Sequence, residues 1–112
     1  MNTITFQDFE KVEIRAGTII EVTDNIKAKK PAYVLRVDFG GELGIKTSSA
    51  QLVDLYQKHE MLNKKVLAVT NFAPKNIAGV ISEVLVLGVP NATGQTVLIR
   101  PDKDAPNGAR LY

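Results

Sequence analysis

Cysteine is absent from this chain of 112 residues and histidine occurs once, at position 59. A disulfide framework and a cysteine-based zinc site are therefore excluded, and a histidine-based metal centre has too few ligands. Neither sign of charge dominates: fourteen Lys and Arg face twelve Asp and Glu, a net +2 that advertises no chain-wide affinity for nucleic acid and leaves room only for a local basic patch. No apolar stretch approaches the roughly 20 residues of a membrane-spanning helix. The opening Met1-Asn-Thr-Ile-Thr-Phe-Gln-Asp8 has neither the basic nor the apolar region of an export signal. These absences predict a chain at home in a reducing cytoplasm. Paired carboxylates, a phosphate-cradling glycine loop and a cysteine nucleophile are all missing, and Asp102-Lys103-Asp104 is too short for a calcium loop. The expectation is a non-enzyme with no cofactor and no metal, in which His59 ends a helix rather than serving chemistry.

What is present reads as one domain, residues 1–112, near the low end of size for a self-sufficient core, so that self-association would be a natural supplement. Thr5 with Asp8 three residues later predicts a short capped helix over Phe6 to Lys11, with Phe6 and Phe9 turned inward. β-Branched residues from Val12 to Val22 predict a long first strand, with Gly17 marking a bulge. Thr23 to Pro31 carries Lys27, Lys29 and Lys30 and reads as a basic loop. Tyr33, Leu35, Val37 and Phe39 alternate with wetter positions as a second strand, and Leu43 to Thr47 gives a third. Ser48 or Ser49 then caps a helix over about Ala50 to His59, whose stripe is Leu52, Leu55, Tyr56 and His59. Lys65 to Asn71 and Val80 to Gly88 read as strands four and five, and Thr96 to Arg100 as a sixth after the turn Pro90 to Gly94. Three strands, a helix and two strands is the order of an OB-fold, a five-stranded Greek-key barrel of all-β class, here with a helix between strands three and four and an extra C-terminal hairpin arm.

The segment Asn71 to Gly88 joins a restricted polar turn to an unbroken apolar strand. Pro74 and Gly79 shape a hairpin that projects Lys75 and Asn76. Val84, Leu85 and Val86 are apolar on both strand faces, whereas a small barrel buries only one. The outer face thus needs a cover, either a second copy joined through Val84, Leu85, Val86, Val97, Leu98 and Ile99 or the chain's own termini; the homodimer is preferred because the tail is polar and proline-rich. Ligand donors cluster where OB-folds usually bind: Lys29, Lys30, Lys46, Ser48, Ser49, Gln51, Asn71, Lys75, Asn76 and Ser82. Ammonium and amide donors suit RNA phosphates or peptide carbonyls alike. The serines serve equally well as helix caps, and the asparagines as turn formers. Of four Phe and three Tyr, Phe6, Phe9, Tyr33, Phe39 and Tyr56 are assigned to packing, which leaves Phe72 as the exposed aromatic for a base or an apolar client group.

The linked motifs Asp8 to Ile19, Gly44-Ile-Lys-Thr-Ser-Ser-Ala-Gln51, Asn71-Phe-Ala-Pro-Lys75 and Ser82-Glu-Val-Leu-Val-Leu-Gly88 resemble the EMAP-II-like tRNA-binding domain over nearly the whole chain. Within that superfamily the chain is most similar to the CsaA-like secretion-chaperone branch, which pairs Lys30-Pro-Ala-Tyr33 with the serine motif and the Ser82 strand. The resemblance implies an OB-fold homodimer that binds unfolded precursor proteins for export without nucleotide hydrolysis, with the export motor SecA as an associated partner. Two departures from the wider tRNA-binding pattern favour that branch. Val84 stands where the wider pattern has glycine after the serine, and Ser49 replaces the glycine after strand three. The competing expectation is a stand-alone tRNA-binding protein that uses the same cleft.

Overall fold

A computed structural model describes all 112 residues. The chain runs α1 (Phe6–Glu10), β1 (Ile14–Asp24), β2 (Tyr33–Asp38), β3 (Ile45–Ala50), α2 (Lys58–Met61), β4 (Lys65–Val69), β5 (Lys75–Ile77), β6 (Val80–Ser82), β7 (Leu85–Val86), β8 (Gly88–Pro90) and β9 (Thr96–Leu98). Five strands form one antiparallel sheet in the order β3-β2-β1-β4-β7, while β5–β6 and β8–β9 are separate hairpins. The two edges of the sheet come together at a seam. There Glu83 N and Val84 N donate to Thr47 O at 2.7 and 3.4 Å, and the Glu83 carboxylate accepts from Thr47 N at 3.1 Å. The result is a nearly closed OB-type barrel, with the predicted extra hairpin arm supplied by β8–β9.

The inward positions of β2 are those that the alternation predicts: Tyr33, Leu35, Val37 and Phe39 are buried with Ile19, Val66, Ala68 and Met61 in one core cluster. Strand β1 is shared lengthwise. Its first half, from Ile14 to Thr18, pairs with β4, and its second half, from Thr18 to Asp24, pairs with β2. The edge of Ile14 to Ala16 that β2 leaves free is taken by the C-terminal tail: Ala16 N donates to Ala109 O, Gly108 N to Ala16 O, and Leu111 N to Ile14 O.

Several expectations are corrected by packing. The register slips between Ile19 and Glu21, so the bulge lies at Ile20; Gly17 is instead a point of close approach, where a Cβ would sit 2.7 Å from Val37 Cγ1 and 2.8 Å from Phe39. Thr5 caps α1 in a reciprocal box with Asp8, but this one-turn helix buries nothing and Phe6 is 71% exposed. No helix spans Ala50 to His59. Ser48 and Ser49 remain in β3, Leu52 enters the core, and Tyr56 is claimed by tertiary bonds: its carbonyl accepts from Tyr33 OH at 2.8 Å and its hydroxyl from Leu98 N at 3.0 Å. Those bonds outweigh local helix propensity, and the helical turn comes later, over Lys58–Met61. The predicted fifth strand is broken into β6, β7 and β8, because Glu83 and Val84 bend to bond Thr47 across the seam.

Candidate ligand cleft

Hairpin β5–β6 forms a small sheet of its own beside β3, to which Ser82 ties it, and separates two concavities. Its turn is a two-residue loop in which Ala78 (φ 49°) and Gly79 (φ 85°) both occupy the left-handed region, as a tight hairpin with right-handed strand twist requires. Asn76 stabilises this turn by accepting from Gly79 N at 2.9 Å. Lys75 and Ile77, two residues apart on β5, share a face, and so contribute to the same wall.

On one side lies a mostly apolar concavity of about 490 Å³, walled by Phe72, Ala73, Ile77, Val84 and Leu85 with Ser49, Lys75, Ser82 and Glu83. Phe72 is 57% and Leu85 46% exposed, so the chain itself does not fill this space. On the other side a basic concavity of about 440 Å³ is formed by Ala28, Lys29, Lys30, Ala32, Ser49, Gln51, Ile77 and Ala78. Ser49 and Ile77 belong to both walls. Lys27 completes the basic rim: a Cβ on Gly79 would lie 3.1 Å from its Cδ and 3.7 Å from its Nζ, which places this lysine across the hairpin tip.

Among the residues singled out from the sequence, Ser49, Phe72, Lys75 and Ser82 converge on the apolar concavity, and Lys29, Lys30, Ser49 and Gln51 on the basic one. The others are occupied elsewhere. Ser48 is fully buried. Lys46 pairs with Glu83 at 3.8 Å. Asn71 accepts from Glu13 N at 3.0 Å and donates to Lys11 O at 2.8 Å, so its amide ties the end of β4 to the segment between α1 and β1. Asn76 is the turn former just described. Ser82 is held as well as lining: its hydroxyl accepts from Ser49 N at 3.1 Å and donates to Val84 O at 3.3 Å. Three of the strand residues expected at a subunit contact have places within the chain itself. Val84 and Leu98 belong to the chain's own core, and Leu85 lines the concavity.

Sequence reasoning missed Asn25 and Ile77. Asn25 is buried; its Oδ1 accepts from Lys27 N at 3.2 Å and its Nδ2 donates to Ile77 O at 3.4 Å, so one side chain fastens the lysine loop to the hairpin. The long reach in sequence, from 25 to 77, left no local signal for it. Ile77 was detectable as the apolar residue two positions from Lys75 on a short strand. None of Lys27, Lys29, Lys30 and Lys75 enters an ion pair, in contrast to Lys46, Lys58 and Lys65 with their carboxylates. A nearly neutral chain thus keeps four uncompensated cations around one cleft.

Known proteins share this arrangement of chain. Residues 14–110 match the family described as "Putative tRNA binding domain". Methionine–tRNA ligase of Flavobacterium johnsoniae is 40% identical over 108 residues, which are 96% of this chain and 15% of that enzyme. The ligase of Pyrococcus furiosus is 38% identical over 99% of this chain and 15% of its own length. The chain therefore spans about one seventh of the curated relatives that it matches. Among solved structures, the CsaA chaperone protein from Picrophilus torridus superposes with a TM-score of 0.91 at 49% identity, covering 98% of this chain and 100% of that one. Chaperone CsaA from Bacillus anthracis gives 0.90 at 42% identity, covering 99% and 100%. With a matched profile over most of its length and two sets of relatives above 30% identity, the chain belongs to the tRNA-binding domain family.

Proposed function

We propose that the protein is a CsaA-like chaperone that holds unfolded or precursor polypeptides in the cleft beside hairpin β5–β6, without nucleotide hydrolysis. The observation that carries this reading is the open apolar concavity of about 490 Å³, in which Phe72 and Leu85 offer apolar surface that the fold leaves uncovered. An extended peptide can place alternate side chains in such a pocket while the donors at its rim take main-chain carbonyls. Similarity over the full length of two CsaA chaperones supports it. The proposal extends to a role in export, with SecA receiving the client, as the sequence resemblance implies.

The working form in this proposal is a homodimer. Its contact is assigned to the face of α1 and the tail, where Phe6, Phe9, Val12, Leu111 and Tyr112 surround a shallow hollow of about 280 Å³ and Ile4, Phe6 and Tyr112 are exposed. Two cleft copies would then act together on one client, raising avidity beyond single-site affinity. A second reading is stand-alone tRNA binding, favoured by the four uncompensated lysines and the family to which the chain belongs. Titration of a labelled unfolded precursor segment tests the first reading. Leu85→Asp and Phe72→Ala, both at exposed positions, should each weaken peptide binding about tenfold or more while thermal stability is kept. Unchanged peptide affinity in both variants would move the client site elsewhere.

A further inference from the structure

The two concavities differ in chemistry but share a wall. Ser49 on β3 and Ile77 on β5 contribute to both, so a ligand lying across them passes directly from an apolar hollow to a basic one. Their separation is fixed rather than left to loop motion, because Asn25 bonds both the main chain of the lysine loop and the carbonyl of Ile77. Charge on the basic side is uncompensated. The nearest acid of the apolar side, Glu83, is already satisfied by Lys46 and by Thr47 N.

We infer that the cleft reads a two-part signal in its client: an extended segment in which an apolar side chain is closely followed by carboxylates, the apolar group entering beside Phe72 and Leu85 and the acids meeting Lys29, Lys30 and Lys27. This rests on the chaperone reading above and adds to it a specificity that a merely sticky surface would lack. Charge complementarity argues for acids, since the three ammonium groups on that side, none of them in an ion pair, attract carboxylates and repel a basic segment. The wall argues for a polypeptide over a nucleotide: Phe72 is its sole aromatic member, and the rest of the apolar lining is aliphatic, which suits a Leu or Phe side chain better than stacked bases.

Fluorescence anisotropy on the intact protein tests this with three probes. They are an unstructured peptide alternating Leu and Glu, its twin with Lys for Glu, and single-stranded polyuridine. The glutamate peptide should bind about tenfold more tightly than its lysine twin at moderate salt. The double variant Lys29→Glu, Lys30→Glu should reverse that order, a result that a loss of fold cannot produce. Equal binding of the two peptides by the unmodified protein would overturn the two-part reading while leaving a polypeptide chaperone in place. Binding of polyuridine with neither peptide bound would overturn the chaperone reading itself.

Discussion

Asn71 shows how a residue that looks like a ligand group can be structural. Both ends of its amide are committed to main chain, to Glu13 N and Lys11 O, across about sixty positions of sequence. Asn71→Ala should therefore lower unfolding stability by about 1–2 kcal/mol in denaturant titration, with peptide affinity unchanged. Glu13, its neighbour in space, is held below the usual carboxylate range chiefly by the hydrogen bond from Arg15, with the Arg15 charge and the Thr70 hydroxyl adding to the effect against modest desolvation. A carboxylate whose folded value is lowered stabilises the fold fully above its ordinary value of 4.5 and loses that contribution as pH falls through the folded value. Glu13→Gln should flatten the decline in melting temperature between about pH 5 and pH 3, as measured by calorimetry; an unaltered acid limb would remove Glu13 from the account. At this scale little was legible in advance, since an Asn or Ser side chain has the same formula whether it caps a turn, ties two strands or meets a ligand. Ser48 and Ser49 illustrate it: adjacent and alike, one is fully buried and the other lines both concavities.

Among the elements, hairpin β5–β6 matters most to the cleft, and it carries a conformational cost. Ala78 sits at φ 49°, where its Cβ crowds the backbone, in a turn that favours Asn or Gly at that position. Ala78→Asn should steady the arm by about 0.5–1 kcal/mol, seen as slower amide hydrogen exchange at Val80 and Ser82, the ladder amides of β6. Faster exchange would mean that the alanine is there for reasons of packing. The strands were legible where a period was: β2, whose alternation matches its burial, and the opening helix, whose Thr5–Asp8 box is present. Elements governed by distant partners were not. The helix over Ala50 to His59 yields to the bonds of Tyr56 with Tyr33 and Leu98, and the long fifth strand yields to the seam at Thr47. The hairpin itself was readable from Pro74 and Gly79, but not its attachment to the lysine loop through Asn25.

For the whole molecule, a barrel with a small core leaves two apolar regions outside it: the concavity beside the hairpin and the face of α1 with the tail. In the proposed function the first takes a client and the second another copy of the chain. Phe6→Asp, at a position that makes no core contact, should shift sedimentation toward the monomer without lowering the folded fraction, and a wild-type chain that sediments as a monomer at all concentrations would refute the dimer. The proposed preference of the cleft is for polypeptide over RNA. Its most direct measurement is a competition titration in which labelled unfolded precursor peptide and labelled tRNA are each bound to the protein across a range of salt. Peptide binding is expected to be saturable, to persist at physiological salt and to be displaced poorly by tRNA. Tight tRNA binding with the steep salt dependence of released counterions, undisturbed by excess peptide, would contradict it.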